Sequence, residues 1–134
     1  MPRVESDPEL RQRGLEMMRQ VYGWEVADGP GDFFHYTVEH LFADIWNRPG
    51  LTMRDRRLLL IGLLTGTGGF DVIPIQLAGA LANDELDEES ARELVVFLAH
   101  YAGWPAGARL LTMVEQALSQ QGRRREQDAP QQDG

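Results

Sequence analysis

Two side chains that can move protons stand one helical turn apart, His35 and Glu39. On a helix such an i, i+4 pair shares a face, and further steps of three or four along that face reach Phe42 and Trp46. A carboxyl buried on an apolar face is pushed toward its protonated form and becomes a proton donor. A partly exposed Glu39 would instead pair with Arg48 or Arg56. His35 with Glu39 also suits a divalent cation, but two ligands on one helix without a second pair elsewhere leave the shell incomplete, so no metal is expected. His40 falls off that face beside Tyr36 and Asp44 and reads as a surface or interface residue. His100 sits near a helix end, where an imidazolium complements the dipole. The Tyr101 hydroxyl can donate to a substrate or to a backbone carbonyl. Trp46 and Trp104 can wall a flat ligand or anchor a core.

The rest of the chain limits what these groups can serve. At 134 residues it fits one domain, and its formal charge of −8 repels phosphate backbones and anionic membrane surfaces. Neither nucleic acid nor membrane is an expected partner. There is no cysteine, which removes disulfides, thiolate metal sites and thiol nucleophiles together. The first residues, MPRVESDPELRQRG, lack the apolar core of a signal peptide, so a cytoplasmic protein is the default expectation. The longest apolar run, residues 58–64, falls well short of the roughly 20 residues of a membrane span.

The apolar spacing predicts helices throughout. Ser6 and Glu9, with Pro8 between them, form a capping-box start for a first helix that reaches about Tyr22. The glycine-rich residues 23–31 read as a surface loop. Asp32 then caps a second helix, with Phe34, Val38, Leu41, Phe42 and Ile45 at 3.6-residue spacing, ending before Arg48-Pro49-Gly50. Thr52 and Asp55 restart the chain in a third helix to about Thr65, apolar on nearly every side and therefore expected at the centre of the packing. After a break at residues 66–69 come a fourth helix over about 71–82, a fifth from Asp87 to about Tyr101, and a sixth from Pro105 to about Gln120. The expected domain spans residues 6–120, and the polar stretch 121–134, with its Arg123-Arg124-Arg125 run, is expected to be a disordered tail.

These segments carry a resemblance. Arg13-Gly14-Leu15 with Arg19, Val21 and Gly23, then Glu39, Phe42 and Ile45-Trp46-Asn47-Arg48-Pro49-Gly50-Leu51, then Arg54, Arg56 and Leu58, and finally Gly79-Ala80-Leu81, Glu88-Glu89 and Tyr101-Ala102-Gly103 before Pro105-Ala106 occur in the order found in one family. Over about residues 12–118 the chain resembles the carboxymuconolactone decarboxylase family. The resemblance implies an all-α, six-helix bundle of the alkylhydroperoxidase D kind, assembled as a homotrimer or homohexamer. It also implies a carbon-carbon lyase that removes carbon dioxide from a small carboxylated lactone, or an isomerase of a related oxygenated acid, without a cofactor.

That chemistry needs a cation for the carboxylate, donors for charge developing on the lactone oxygen, and a proton donor for the carbon left behind. By family position, Arg48, Arg54 and Arg56 are the candidate anchors, since guanidinium suits a carboxylate; their alternative roles are helix capping and pairing with Glu39 or Asp55. Glu39, His35 and Tyr101 are the candidate proton-handling groups, and Trp46, Asp71 and Gln76 complete the expected site. The resemblance puts Gln76 where the decarboxylases carry a histidine, and glutamine cannot shuttle a proton near neutral pH. Another group must supply the proton, or the substrate differs, as in a biosynthetic pathway with a bulkier substrate fitted by Phe33-Phe34-His35-Tyr36, or the protein is a non-catalytic ligand-binding or scaffold oligomer. The paired cysteines of the peroxidase branch fall at Gly69 and Val72, which excludes that activity.

Overall fold

The computed structural model describes residues 4–128, whose regular structure is entirely helical. Six α-helices are present: α1 (Pro8–Tyr22), α2 (Asp32–Tyr36), α3 (Met53–Thr67), α4 (Ile73–Ala82), α5 (Glu88–Ala102) and α6 (Trp104–Asp128). A π-helical turn (Thr37–Phe42) follows α2 directly, and a 3-10 turn (Ile45–Asn47) precedes α3. The all-α expectation holds. No described helix is long and apolar enough to cross a membrane. The chain divides after Leu58, within α3, into two compact units.

In the N-terminal unit, α1 begins where the Asp7 side chain accepts from the Glu9 and Leu10 amides at 2.9 and 3.4 Å. Two of the unpaired amides at the helix start are thereby satisfied. The expected cap, Ser6, is displaced from that role because its hydroxyl donates to Glu39 instead, at 2.8 Å. At the other end Gly23 takes φ +83°, a conformation that suits glycine, and its amide donates to the Arg19 carbonyl. Gly14, Met17, Met18 and Val21 form the buried stripe of α1, which packs on the π-helical turn. The contact is closest at Gly14, where an added Cβ would land on the Val38 carbonyl.

The second predicted helix is not uniform. It opens as a single α-helical stretch, widens into the π turn, where the Ala43 amide donates to the Val38 carbonyl at 3.0 Å, and tightens into the 3-10 turn. Sequence periodicity misses this because the apolar residues remain three or four apart while the backbone between them changes pitch. Phe42 is buried and stacks on Trp46 at 5.9 Å, and Tyr22 joins the same aromatic row at 5.6 Å.

Arg57, fully buried, donates to the Val21 carbonyl at 2.6 Å. It meets a carbonyl at the C-terminal end of α1, where the helix dipole favours a cation. The start of α3 matches expectation: Thr52 and Asp55 cap each other's amides at 3.0 and 3.2 Å.

In the C-terminal unit α6 packs against both α4 and α5. Pro74 lies in the first turn of α4, where it removes no helical hydrogen bond. Asp87 and Ser90 form a capping box at the start of α5. Gly107 of α6 meets Ala99 of α5 so closely that a Cβ would collide with it. Arg92 clasps Glu88 on its own helix and Glu115 of α6.

Two expectations change here. Ile61 and Thr65 of α3 are buried, but Leu59 and Leu63 are 62% and 61% exposed, so the helix buries one face rather than all of them. And α6 does not stop near Gln120. Gln121 donates to the Leu81 carbonyl at 2.9 Å and Arg125 lies 3.7 Å from Asp84, so residues 121–128 of the expected tail are helical. These side-chain contacts, with the good helix propensity of Gln, Arg and Glu, offset the missing apolar stripe. Residues 129–134 of that tail lie outside the described residues.

The Gly14 contact gives a direct test. Gly14→Ala is expected to destabilise the protein by about 3 kcal/mol, the upper end of overpacking costs, because the obstacle is backbone. Gly122→Ala, on α6 with open space around it, is expected to be neutral or stabilising by up to about 1 kcal/mol. Urea denaturation of the two variants separates steric contact from helix propensity.

Candidate active site

The π turn carries Glu39 into the interior of the N-terminal unit, leaving its side chain 4% exposed. A carboxylate so placed needs donors, and it has them. The Asp7 amide donates to Oε1 at 2.6 Å, while the Ser6 hydroxyl and the Arg11 guanidinium donate to Oε2 at 2.8 and 3.1 Å. His35 Nδ1 also lies 2.8 Å from Oε2, out of line for a hydrogen bond and with no other partner. Burial alone would raise the Glu39 carboxyl; the Asp7 amide, Ser6, Arg11 and the charge of His35 outweigh it and hold the group below the usual carboxylate range. The expected proton donor is therefore an ionised, saturated carboxylate.

Arg11 joins three parts of this unit. Its guanidinium donates to Asp28 at 2.7 Å and to the Gly29 carbonyl at 2.5 Å, reaches Glu39, and lies 5.2 Å over the Phe34 ring. The loop over residues 23–31 is thereby fastened to α1. Between them runs an open groove of about 1590 Å³, lined among others by Ser6, Arg11, Arg13, Glu25, Asp28 and His35. His35 is half-buried, with Nδ1 turned to Glu39 and its outer ring edge left to the groove. Arg13 stands in the same groove with no hydrogen bond or ion pair among the described residues.

Of the expected site residues, His35 and Glu39 bring their side chains together. Arg56 is committed to the backbone, donating to the Leu51 and Arg48 carbonyls at 2.6 and 2.8 Å and closing the turn before α3. Arg48 and Arg54 are exposed, and Glu39 pairs with Arg11 rather than with Arg48 or Arg56. Trp46 is buried against Phe42, an anchor of the core. Asp71 is exposed and Gln76 is buried on α4, while Tyr101 is 81% exposed beside Phe97. His40 is at the surface near Asp44, and His100 bonds the Val96 carbonyl. Arg11 and Arg57 were not singled out by sequence, Ser6 was read as a helix cap and Arg13 only as part of the family resemblance. Arg11 and Glu39 are 28 positions apart, beyond any local pattern. Arg57 did leave a trace: with Ile61 and Thr65 it makes an i, i+4, i+8 row on the buried side of α3.

A family model described as the carboxymuconolactone decarboxylase family matches residues 31–116, from α2 into α6. The chain belongs to the carboxymuconolactone decarboxylase family. Within the family, it is 26% identical over 125 residues to a 4-carboxymuconolactone decarboxylase of Acinetobacter baylyi, covering 87% of this chain and 92% of that one. It is 25% identical over 128 residues to a nitrosuccinic acid decarboxylase of Metarhizium robertsii, covering 85% and 87% respectively. Both relatives in this family are named as decarboxylases, so membership supports a decarboxylase-like function. The family match opens at Gly31, so Ser6, ahead of α1, and Arg11 of α1, which contact Glu39, lie before it.

The depressed Glu39 carboxyl has a consequence for stability. A group whose folded-state pKa is lowered stabilises the fold above its unfolded-state pKa, and that contribution is lost as pH falls through the folded value. The N-terminal unit is expected to weaken as pH drops below the ordinary carboxylate range. Glu39→Gln should reduce that acid sensitivity, leaving the part carried by Asp28 and Glu16, and cost about 2 kcal/mol at neutral pH, since it takes a charged acceptor from several donors. Urea midpoints at pH 7 and pH 4 for both proteins check this; an unchanged pH dependence in the variant would contradict it.

Proposed function

We propose that this protein is a cofactor-independent decarboxylase of a small carboxylated lactone or related oxygenated acid, with His35 as the proton donor. One observation carries the reading: His35 presents its ring to an open groove while Nδ1 faces a fixed carboxylate. The two relatives named as decarboxylases support the reaction class. In the proposed step the bond between the carboxylate carbon and its neighbour breaks heterolytically, and carbon dioxide leaves. The electron pair stays on the remaining carbon, delocalised into an adjacent acceptor such as a lactone carbonyl. An imidazolium proton from His35 then quenches that carbon, and the ring regains a proton from solvent, so no oxidant or reductant is consumed. Arg13, without a hydrogen bond or ion pair among the described residues, is a groove cation that suits a substrate carboxylate.

A substrate bulkier than a simple lactone is favoured by one further feature, the 88% exposed Phe33 on the helix that carries His35. Self-association, as a homotrimer or homohexamer, is the second part of the proposal. It is supported by apolar side chains left open at i, i+4 positions, Leu59 with Leu63 on α3 and Phe97 with Tyr101 on α5.

The reaction is tested by screening carboxylated lactones, nitro acids and keto acids of graded size for carbon dioxide release. On the best substrate His35→Asn is expected to lower kcat between about 100-fold and 10,000-fold, the usual worth of a positioned acid or base. Full activity in that variant would overturn the assignment. Gln76→His serves as a gain-of-function comparison. For assembly, Leu63→Glu is expected to shift the sedimentation coefficient toward the monomer; a wild-type protein already monomeric at tens of micromolar would contradict self-association.

A further inference from the structure

Oε2 of Glu39 is approached by three groups at once: the Ser6 hydroxyl at 2.8 Å, Arg11 Nη1 at 3.1 Å and His35 Nδ1 at 2.8 Å. A carboxylate oxygen has two lone pairs in its plane, and two in-line donors fill them. Ser6 and Arg11 have hydrogen-bond geometry; His35 does not, and its Nδ1 is buried without any other partner. A buried nitrogen without a hydrogen bond is costly, and this one stands beside an acceptor that could satisfy it.

We infer that Ser6 and Arg11 are positioning residues that hold the Glu39 carboxylate away from full engagement with His35 and so set the basicity and orientation of that ring. The inference rests on the reading of His35 as proton donor, and it adds what tunes that donor. A ring bonded to a carboxylate through Nδ1 is stabilised as imidazolium and gives up its outer proton less readily. By filling Oε2 themselves, Ser6 and Arg11 leave the imidazolium only the through-space attraction of a charge already shared with a guanidinium. They thus leave Nδ1 of the ring without an in-line acceptor.

The two positioning groups reach Glu39 differently. Arg11 comes from α1 and is itself held by Asp28 and the Gly29 carbonyl, so it is fixed by the loop. Ser6 belongs to the short segment ahead of α1, which meets the carboxylate through its hydroxyl and through the Asp7 amide. The charged groups around His35 are Glu39, one turn along, and Arg11 and Asp28, the latter paired with Arg11; Glu9, Arg13, Glu16, Glu25 and Asp32 line the same groove. Ser6 is the neutral member of the set, so its removal frees a lone pair without changing the net charge.

The experiment follows the His35 ring by NMR in the full chain as pH is varied, without substrate, and then the pH–rate profile on the best substrate of the screen. Ser6→Ala is expected to raise the pH at which the ring titrates by about one unit, the scale of one gained charge-assisted hydrogen bond. Arg11→Gln should raise it further, because a cation leaves as well. Ser6→Thr, which keeps the hydroxyl, should restore the wild-type value. The limb of the pH–rate profile governed by His35 should move in the same direction by the same amount. A ring that titrates at the wild-type pH in both Ser6→Ala and Arg11→Gln, or that moves to lower pH, would overturn the inference. A raised titration with an unmoved rate profile would instead sustain the inference about Glu39 and remove His35 from the proposed reaction.

Discussion

The N-terminal unit depends on a carboxylate that cannot be left alone. Glu39 is taken out of water by the π turn, and a buried charge is tolerated only when donors replace its hydration. Those donors come from two neighbouring stretches that are distant from Glu39 in sequence: the segment ahead of α1 and α1 itself. Satisfying one side chain therefore sets the relative placement of several backbone segments. Arg11 extends the same logic outward, since the guanidinium that helps to neutralise Glu39 also binds the loop through Asp28 and Gly29. Ser6 and Arg11, which line the groove, are both placed by their bonds to one buried anion.

A second charge does similar work at the far end of α1. Arg57 is fully buried, and its donation to the Val21 carbonyl places a cation at a helix C-terminus. Together with the aromatic row of Tyr22, Phe42 and Trp46, it fixes the end of α1, while Gly14 permits the close approach along its length. The helix is thus held at both ends by ionic groups and in the middle by direct backbone contact.

Local signals in the sequence were enough for most of the helical framework. The Thr52–Asp55 and Asp87–Ser90 caps, the prolines in the first turns, and the apolar spacing of α1 and α6 all act within a few residues, which is the range that spacing can report. The features that define the site act over longer distances. Ser6 looked like a cap because Glu9 follows it, yet the winning partner was Glu39, 33 positions away. The pairing of His35 with Glu39 was legible as an i, i+4 step, but the direction of the carboxyl's shift was not. That sign is decided by Ser6, Asp7 and Arg11, none of which shares its helix. The family's arginine positions were read as ligand anchors; one of them, Arg56, turned out to close a turn, because the Arg48 and Leu51 carbonyls lie within its own reach.

The π turn has a consequence for how this surface can vary. A wide turn between α2 and the 3-10 turn works as a slip joint: the residues before it and those after it keep separate rotational registers. Phe42 and Trp46 hold their places in the aromatic row from one side of the joint, whereas Phe33, His35 and Tyr36 are presented from the other. Side chains facing the groove can therefore be exchanged for larger or smaller ones without rotating the anchors of the interior. In an unbroken α-helix the two faces would be geared together, and a change in the outward row would be transmitted to the core.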